Sequence, residues 1–293
     1  MSTAELAFAW TFDPLVVLAL GLTVVAYTHG ILTMRPLRDH VFGTWRPVAF
    51  FTGMITTFLA LSSPIDALSD RLFAFHMIQH LMLMFVAAPL ILIGAPLLPT
   101  LRGIPSGLRR ITVIPVAKST QVRFLSHQLT NPMIAWTAFV VSLWGWHIPS
   151  LYAAAIENEV IHILEHVSFI GTGLLFWWLV IDPVPFRGRI PYLGRLVYVI
   201  LALTQSLPLA AMLTFTSEPW YEPYIASGGY WGIDPMTDQQ IGGLIMWIGG
   251  MVAYFVAVAA LFVVAMKKDE ADTRKRQLAM AVPSLTHPSG KHG

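Results

Sequence analysis

A chain of 293 residues in which 56% are hydrophobic and only 12% charged is too poor in charge for a water-soluble domain, where about a quarter is usual. The absence of cysteine excludes disulfides and thiolate metal sites, leaving His, Met and carboxylate as possible ligands. The net charge of +2 says little; the placement of that charge says more.

Apolar length predicts seven membrane spans, at about 15–33, 47–62, 73–93, 133–149, 160–181, 194–216 and 240–266. The expected fold is therefore all-α, a polytopic membrane protein with a seven-transmembrane helix bundle over residues 1–266. Pro14, Pro47 and Pro132 stand near span starts, where the missing N–H costs little. Asp66, in Ser63-Pro64-Ile65-Asp66, is expected to cap a short outer helix. The link 103–132 mixes Arg109, Arg110, Lys118 and Arg123 with Leu108, Ile111 and Phe124, as a segment lying on the inner membrane surface does. Trp144, Trp146, Trp177 and Trp178 read as interfacial anchors. The link 217–239 carries Trp and Tyr and is expected to cover the outer face. Asp238 is placed to cap span seven, and Gly242-Gly243 and Gly249-Gly250 to allow close helix packing. Residues 267–293, polar and rich in Lys, Pro and Ser, read as a disordered cytoplasmic tail.

Every Lys and Arg except Arg71 falls in alternate connections or the tail: Arg35, Arg38 and Arg46, then Arg102 to Arg123, then Arg187, Arg189 and Arg195, then Lys267 to Lys291. The positive-inside rule then puts the N-terminus outside and the C-terminus in the cytoplasm. Contact with the inner leaflet accounts for these charges without nucleic acid.

This topology gathers the histidines. His76 and His80 begin span three, His147 ends span four, and His162 and His166 begin span five. Each i,i+4 pair stacks on one helix face, and all five residues lie at similar depth in the outer half. Imidazole is the commonest protein metal ligand. Glu165 could orient a ligating ring or ligate, and Met77, Met212, Met236 and Met246 could add thioether sulfur. Imidazole with thioether suits copper. For any one methionine, packing is the plainer reading. Asp66, Asp238, Met77, Met246 and Glu165 complete the candidate set as auxiliaries. His29 lies toward the inner end of span one, and His40, His127, His287 and His292 lie in inner links or the tail.

Several motifs occur together in one order: Ser63 to Asp66, His76-Met77-Ile78-Gln79-His80, Ala88-Pro89-Leu90, Trp146-His147-Ile148-Pro149 with Tyr152, His162 to His166 with Trp177-Trp178, and Asp238-Gln239-Gln240 through Trp247. From about residue 10 to residue 265 the chain resembles the polytopic CtaG-type cytochrome c oxidase assembly family. The resemblance implies a multi-pass protein of the bacterial inner membrane, not an enzyme, that helps mature haem–copper oxidase. It implies copper as cargo, Cu(I) or Cu(II), with His76, His80, His147, His162 and His166 as the matching ligand positions. Oxidase subunits and membrane lipid are the implied partners; a periplasmic copper donor and a second copy of the chain are further candidates. Two alternatives stand beside this reading. A haem-binding electron-transfer subunit would use histidines on facing helices, and a copper or proton transporter would need ionisable groups through the inner half as well.

Overall fold

The computed structural model describes residues 9–34, 43–183 and 189–281. Arg35, Arg38, His40, Arg187, His287, Lys291 and His292 lie outside the described residues. Among the described residues all regular structure is helical, apart from one isolated bridge between Tyr230 and Ile233. The helices are α1 (Pro14–Thr33), α2 (Trp45–Ser62), α3 (Pro64–Ser69), α4 (Phe73–Ile93), α5 (Leu97–Gly103), α6 (106–118), α7 (Thr120–Leu129), α8 (Pro132–Trp146), α9 (Pro149–Glu157), α10 (Glu159–Ile181), α11 (Tyr192–Phe215), α12 (Glu222–Ser227) and α13 (Pro235–Ala281).

Five of these, α1, α4, α10, α11 and α13, are long and apolar enough to cross a membrane. The pair α8 and α9, bent by 76° about His147, makes a sixth if counted as one span. The chain is thus an all-helical, multi-pass membrane protein. The seven expected spans include α2, which forms a helix of the expected extent but is more polar than the others. Arg46 and the threonines Thr52, Thr56 and Thr57 are responsible. Each of those hydroxyls donates to a carbonyl one turn back, at 2.9–3.0 Å, so none is left unpaired.

Local chemistry explains most helix starts. Asp13 caps α1 by accepting from the backbone N–H of Leu15, Asn131 caps α8 through Met133 N–H, and Asn158 caps α10 through Val160 and Ile161 N–H. Ser63, not Asp66, caps α3, by accepting from Ile65 N–H. Asp234, not Asp238, accepts from Met236 and Thr237 N–H at the start of α13.

The long span α4 contains a π-turn at Met82–Ala87. Pro89 follows it directly. A proline within a helix removes a donor and its ring crowds the carbonyl four residues back, here Phe85; the wider turn relieves that crowding. The core lies between α4, α8, α10, α11 and α13, around Phe139, Phe169, Phe176, Tyr198 and Tyr254. The Phe176 ring stacks on Phe139 at 4.4 Å and on Tyr198 at 4.8 Å between centroids. Trp177 belongs to this core at 3% exposure, so it is not the interfacial anchor its neighbourhood implied. Trp144 and Trp146 turn inward too, donating to Gln205 and Ser168.

The glycine pairs divide. A Cβ on Gly242 would sit 2.3 Å from the Phe73 ring, and one on Gly243 would sit 2.6 Å from Thr214 Oγ1. One on Gly249 would meet Leu81 at 2.7 Å, whereas Gly250 faces open space. Three of the four therefore hold α13 close to its neighbours.

Residues 267–281, expected to be disordered, continue α13 as helix to Ala281. Composition misleads here because the charges are ordered along the helix. Glu270 stands four residues before Arg274, and Asp272 four before Arg276, the favourable orientation for helix pairs. No Gly or Pro interrupts the run before Pro283. The link 103–132 is helical over α6 and α7, and exposes Ile111, Val116 and Phe124 beside its basic residues.

Candidate metal centre

The cluster begins with how α4 is started. Its N-cap residue, Leu72, offers no side-chain acceptor. Asp238, on α13, supplies one across the bundle: its carboxylate accepts from Phe73 N–H at 2.6 Å and Ala74 N–H at 3.1 Å. Both oxygens are thereby engaged, so Asp238 serves the helix that carries His76 and His80.

Gln79, buried between the two histidines, fixes the rotation of the same helix. Its Nε2 donates to Ala60 O on α2 at 2.8 Å and to Asp66 Oδ1 on α3 at 2.7 Å. Asp66 also accepts from Thr11 Oγ1 at 2.6 Å. Asp66 therefore ties three elements together instead of capping one, and it is not a member of the close His76–His80–Glu165 group. Neither Gln79 nor the cross-bundle role of Asp238 was foreseen. The signal available was Gln79 itself, an amide three residues after His76 and next to His80.

From this anchored helix, His76 and His80 face Glu165 on α10. His76 Nε2 lies 3.5 Å from Glu165 Oε2, and His80 Nε2 lies 3.6 Å from Oε1. His76 and Glu165 have no exposed surface, and His80 has 4%. Among the described residues these three form a group whose potential ligand atoms all lie within 4.8 Å of one another. His162 and His166 close the cluster from α10: the His76 ring is centred 5.4 Å from His162 and 6.4 Å from His166, and His80 is 5.7 Å from His166.

The hydrogen bonding of the cluster is incomplete. Both ring nitrogens of His76 and His80, Nε2 of His162 and His166, and both Glu165 oxygens are buried without a hydrogen-bond partner. Separations of 3.5 and 3.6 Å exceed the usual 2.7–2.9 Å of a charge-assisted N–H···O bond. They approach the about 3.3 Å that separates two donors on one tetrahedral ion with bonds near 2.0–2.1 Å. A buried carboxylate without a hydrogen bond is costly unless an opposite charge pairs with it, and the two imidazoles do so only when protonated. A metal ion between these atoms would satisfy all three groups at once.

His147 approaches from the bend between α8 and α9. Its Nδ1–H donates to Leu143 O at 2.6 Å, leaving Nε2 as a buried lone pair with no partner. It shares a cavity with His80, Met77 and Met246. Met212 is exposed to 48% and stands outside the cluster. The link 217–239 folds over this end of the bundle, as its Trp and Tyr content predicted. Tyr221 Oη donates to His147 O at 3.2 Å and Tyr224 Oη to Ser69 O at 2.6 Å. Burial holds both phenols well above their ordinary range, so they remain donors.

Comparison with known proteins gives the arrangement its family context. An uncharacterized protein of Mycobacterium leprae is 26% identical over 273 residues, covering 89% of this chain and 40% of that protein. An uncharacterized protein of Mycobacterium bovis is 26% identical over 267 residues, covering 88% of this chain and 39% of that protein. The chain thus spans about two-fifths of the length of the curated relatives it matches. No solved structure matches. The family model for cytochrome c oxidase caa3 assembly factors matches residues 25–268, which include every residue of the histidine–glutamate cluster, and the chain belongs to that family.

Proposed function

We propose that this protein binds a copper ion through His76, His80 and Glu165, with His162, His166 and His147 as alternative donors, and passes it to a subunit of the haem–copper oxidase. The observation that carries the reading is the His76–Glu165–His80 geometry: three fully or nearly buried groups, spaced as ligands around an ion, with no other partner. The role is carriage and not catalysis. An excess of imidazoles over what one ion needs lets copper move between partial ligand sets, which transfer requires.

The same reading counts α2 and the bent α8–α9 pair as spans, for seven in all. The Lys and Arg distribution then orients the histidine end away from the cytoplasm, where copper meets exported proteins. Of the groups a relay toward the other face could use, His29 Nδ1 is engaged by Gly103 O and Gln205 by Trp144.

Copper bound per purified chain, measured by elemental analysis on wild type, His76→Ala/His80→Ala and Glu165→Gln, tests the site. Less copper per chain than in wild type is expected in both variants; wild-type copper content in both overturns the assignment. Delivery is tested by the copper content of oxidase from cells carrying each variant, expected to fall with the copper content of the variant itself.

A further inference from the structure

The cavity beside the cluster has a chemistry of its own. It is lined by His80, His147, Met77, Met84 and Met246, by the Ser206 hydroxyl, which donates to Leu203 O, and by apolar neighbours such as Phe169. Its volume of about 20 Å³ suits one water-sized species. Met77 and Met84 are two helical turns apart on one face of α4, and Met246 meets them from α13. All three are buried, at 2%, 1% and 9% exposure.

His147 is the informative member. Its Nδ1–H is committed to Leu143 O, which fixes the neutral tautomer and leaves the Nε2 lone pair buried and unpartnered. His80 is likewise 4% exposed, with Nδ1 unpartnered. Packing explains buried methionines, but it does not explain a buried imidazole lone pair on a cavity lined by thioethers.

We propose that this cavity is a second cation site, distinct from the Glu165 centre and joined to it by His80, that takes a soft monovalent ion of the Cu(I) or Ag(I) type. Every donor lining it is neutral. The cost of desolvating an ion grows with the square of its charge, and no carboxylate lines this cavity to offset it for a divalent ion. Thioether is a donor that soft ions accept and hard ions do not, and imidazole suits copper beside it. The Glu165 centre differs in the respect that matters: it carries a carboxylate. The two sites would therefore sort ions by charge and softness, and His80, facing both, would pass a monovalent ion between them. This inference stands on the cavity and does not need the Glu165 centre to hold copper.

The test is anaerobic titration of the purified full chain with Ag(I) and, separately, Zn(II), counting bound metal after desalting. Met84→Leu/Met246→Leu conserves volume and is expected to lose one equivalent of Ag(I) while Zn(II) is unchanged. Glu165→Gln is expected to lose Zn(II) and keep the methionine-dependent Ag(I). Met212→Leu, at the exposed methionine, controls for surface thioether binding and should alter neither. Unchanged Ag(I) in Met84→Leu/Met246→Leu overturns the second site, whatever Glu165→Gln does. Unchanged Zn(II) in Glu165→Gln counts against the Glu165 centre alone. Selenomethionine protein loaded with Cu(I) gives an independent readout: selenium in the copper coordination shell is expected by X-ray absorption, and its absence overturns the proposal.

Discussion

Trp177 Nε1–H donates to the carbonyl oxygen of Met84 across 2.8 Å in the buried core. In the π-turn, Ala88 N–H turns to Leu83 O, and the next residue, Pro89, has no N–H to give. Met84 O is thereby left without a helical donor, and an indole from α10 supplies one. Met84 also lines the methionine cavity, so the bond that completes the backbone holds one wall of that cavity in place.

Trp177→Phe keeps most of the ring and removes this donor. It should lower stability by about 1–3 kcal/mol, the cost of an unsatisfied buried acceptor. The loss is read as a fall in the thermal midpoint in detergent. Unchanged stability would mean that Met84 O finds another partner.

Asp238→Ala takes away both acceptors at the start of α4. Loss of a cap costs about 0.5–2 kcal/mol, and here it also loosens the first turn of the helix presenting His76. Metal affinity should therefore weaken through the position of that helix. Asp238→Asn, which keeps one acceptor oxygen, should recover part of both losses. Hydrogen exchange at Phe73 and Ala74, expected to speed up in Asp238→Ala, locates the effect.

Gly242→Ala and Gly250→Ala form a matched pair. The first places a methyl 2.3 Å from the Phe73 ring, at the end of α4 that Asp238 caps; the second meets nothing within 4 Å. Gly242→Ala should destabilise by about 1–3 kcal/mol through overpacking, while Gly250→Ala should fold normally. Thermal unfolding of the two side by side checks this.

Gln79→Leu removes the donor that holds Asp66 and Ala60 O, without removing any metal ligand. It should leave Asp66 partly unpaired, lower stability by about 1–3 kcal/mol, and reduce copper retention after dialysis more than copper binding at saturation. Equal retention in wild type and variant would show that α4 keeps its rotation without this amide.

The sequence was most legible where signals are local and periodic. Hydropathy alone located α1, α4, α10, α11 and α13. The i,i+4 spacing put His76 with His80 and His162 with His166 on common helix faces, because 3.6 residues per turn leaves no other option. It failed at Asp66 and Asp238. Each stands near a helix start and reads as a cap for its own helix, but Ser63 and Asp234 take those roles. It failed at 267–281 because composition counts charges without regard to their order.

What the chain determined by itself was an apolar, all-helical, thiol-free protein with paired histidines on helices entering from one side. Whether those rings would meet, and around what, was decided by partners distant in sequence. Asp238 reaches Phe73 across 165 positions, Trp177 reaches Met84 across 93, and Glu165 faces histidines on another helix. The physical reason is that a helix's own pattern sets which face is apolar but not its rotation or height against a neighbour. Those are settled by a few directional bonds in a medium where an unpaired polar group is costly.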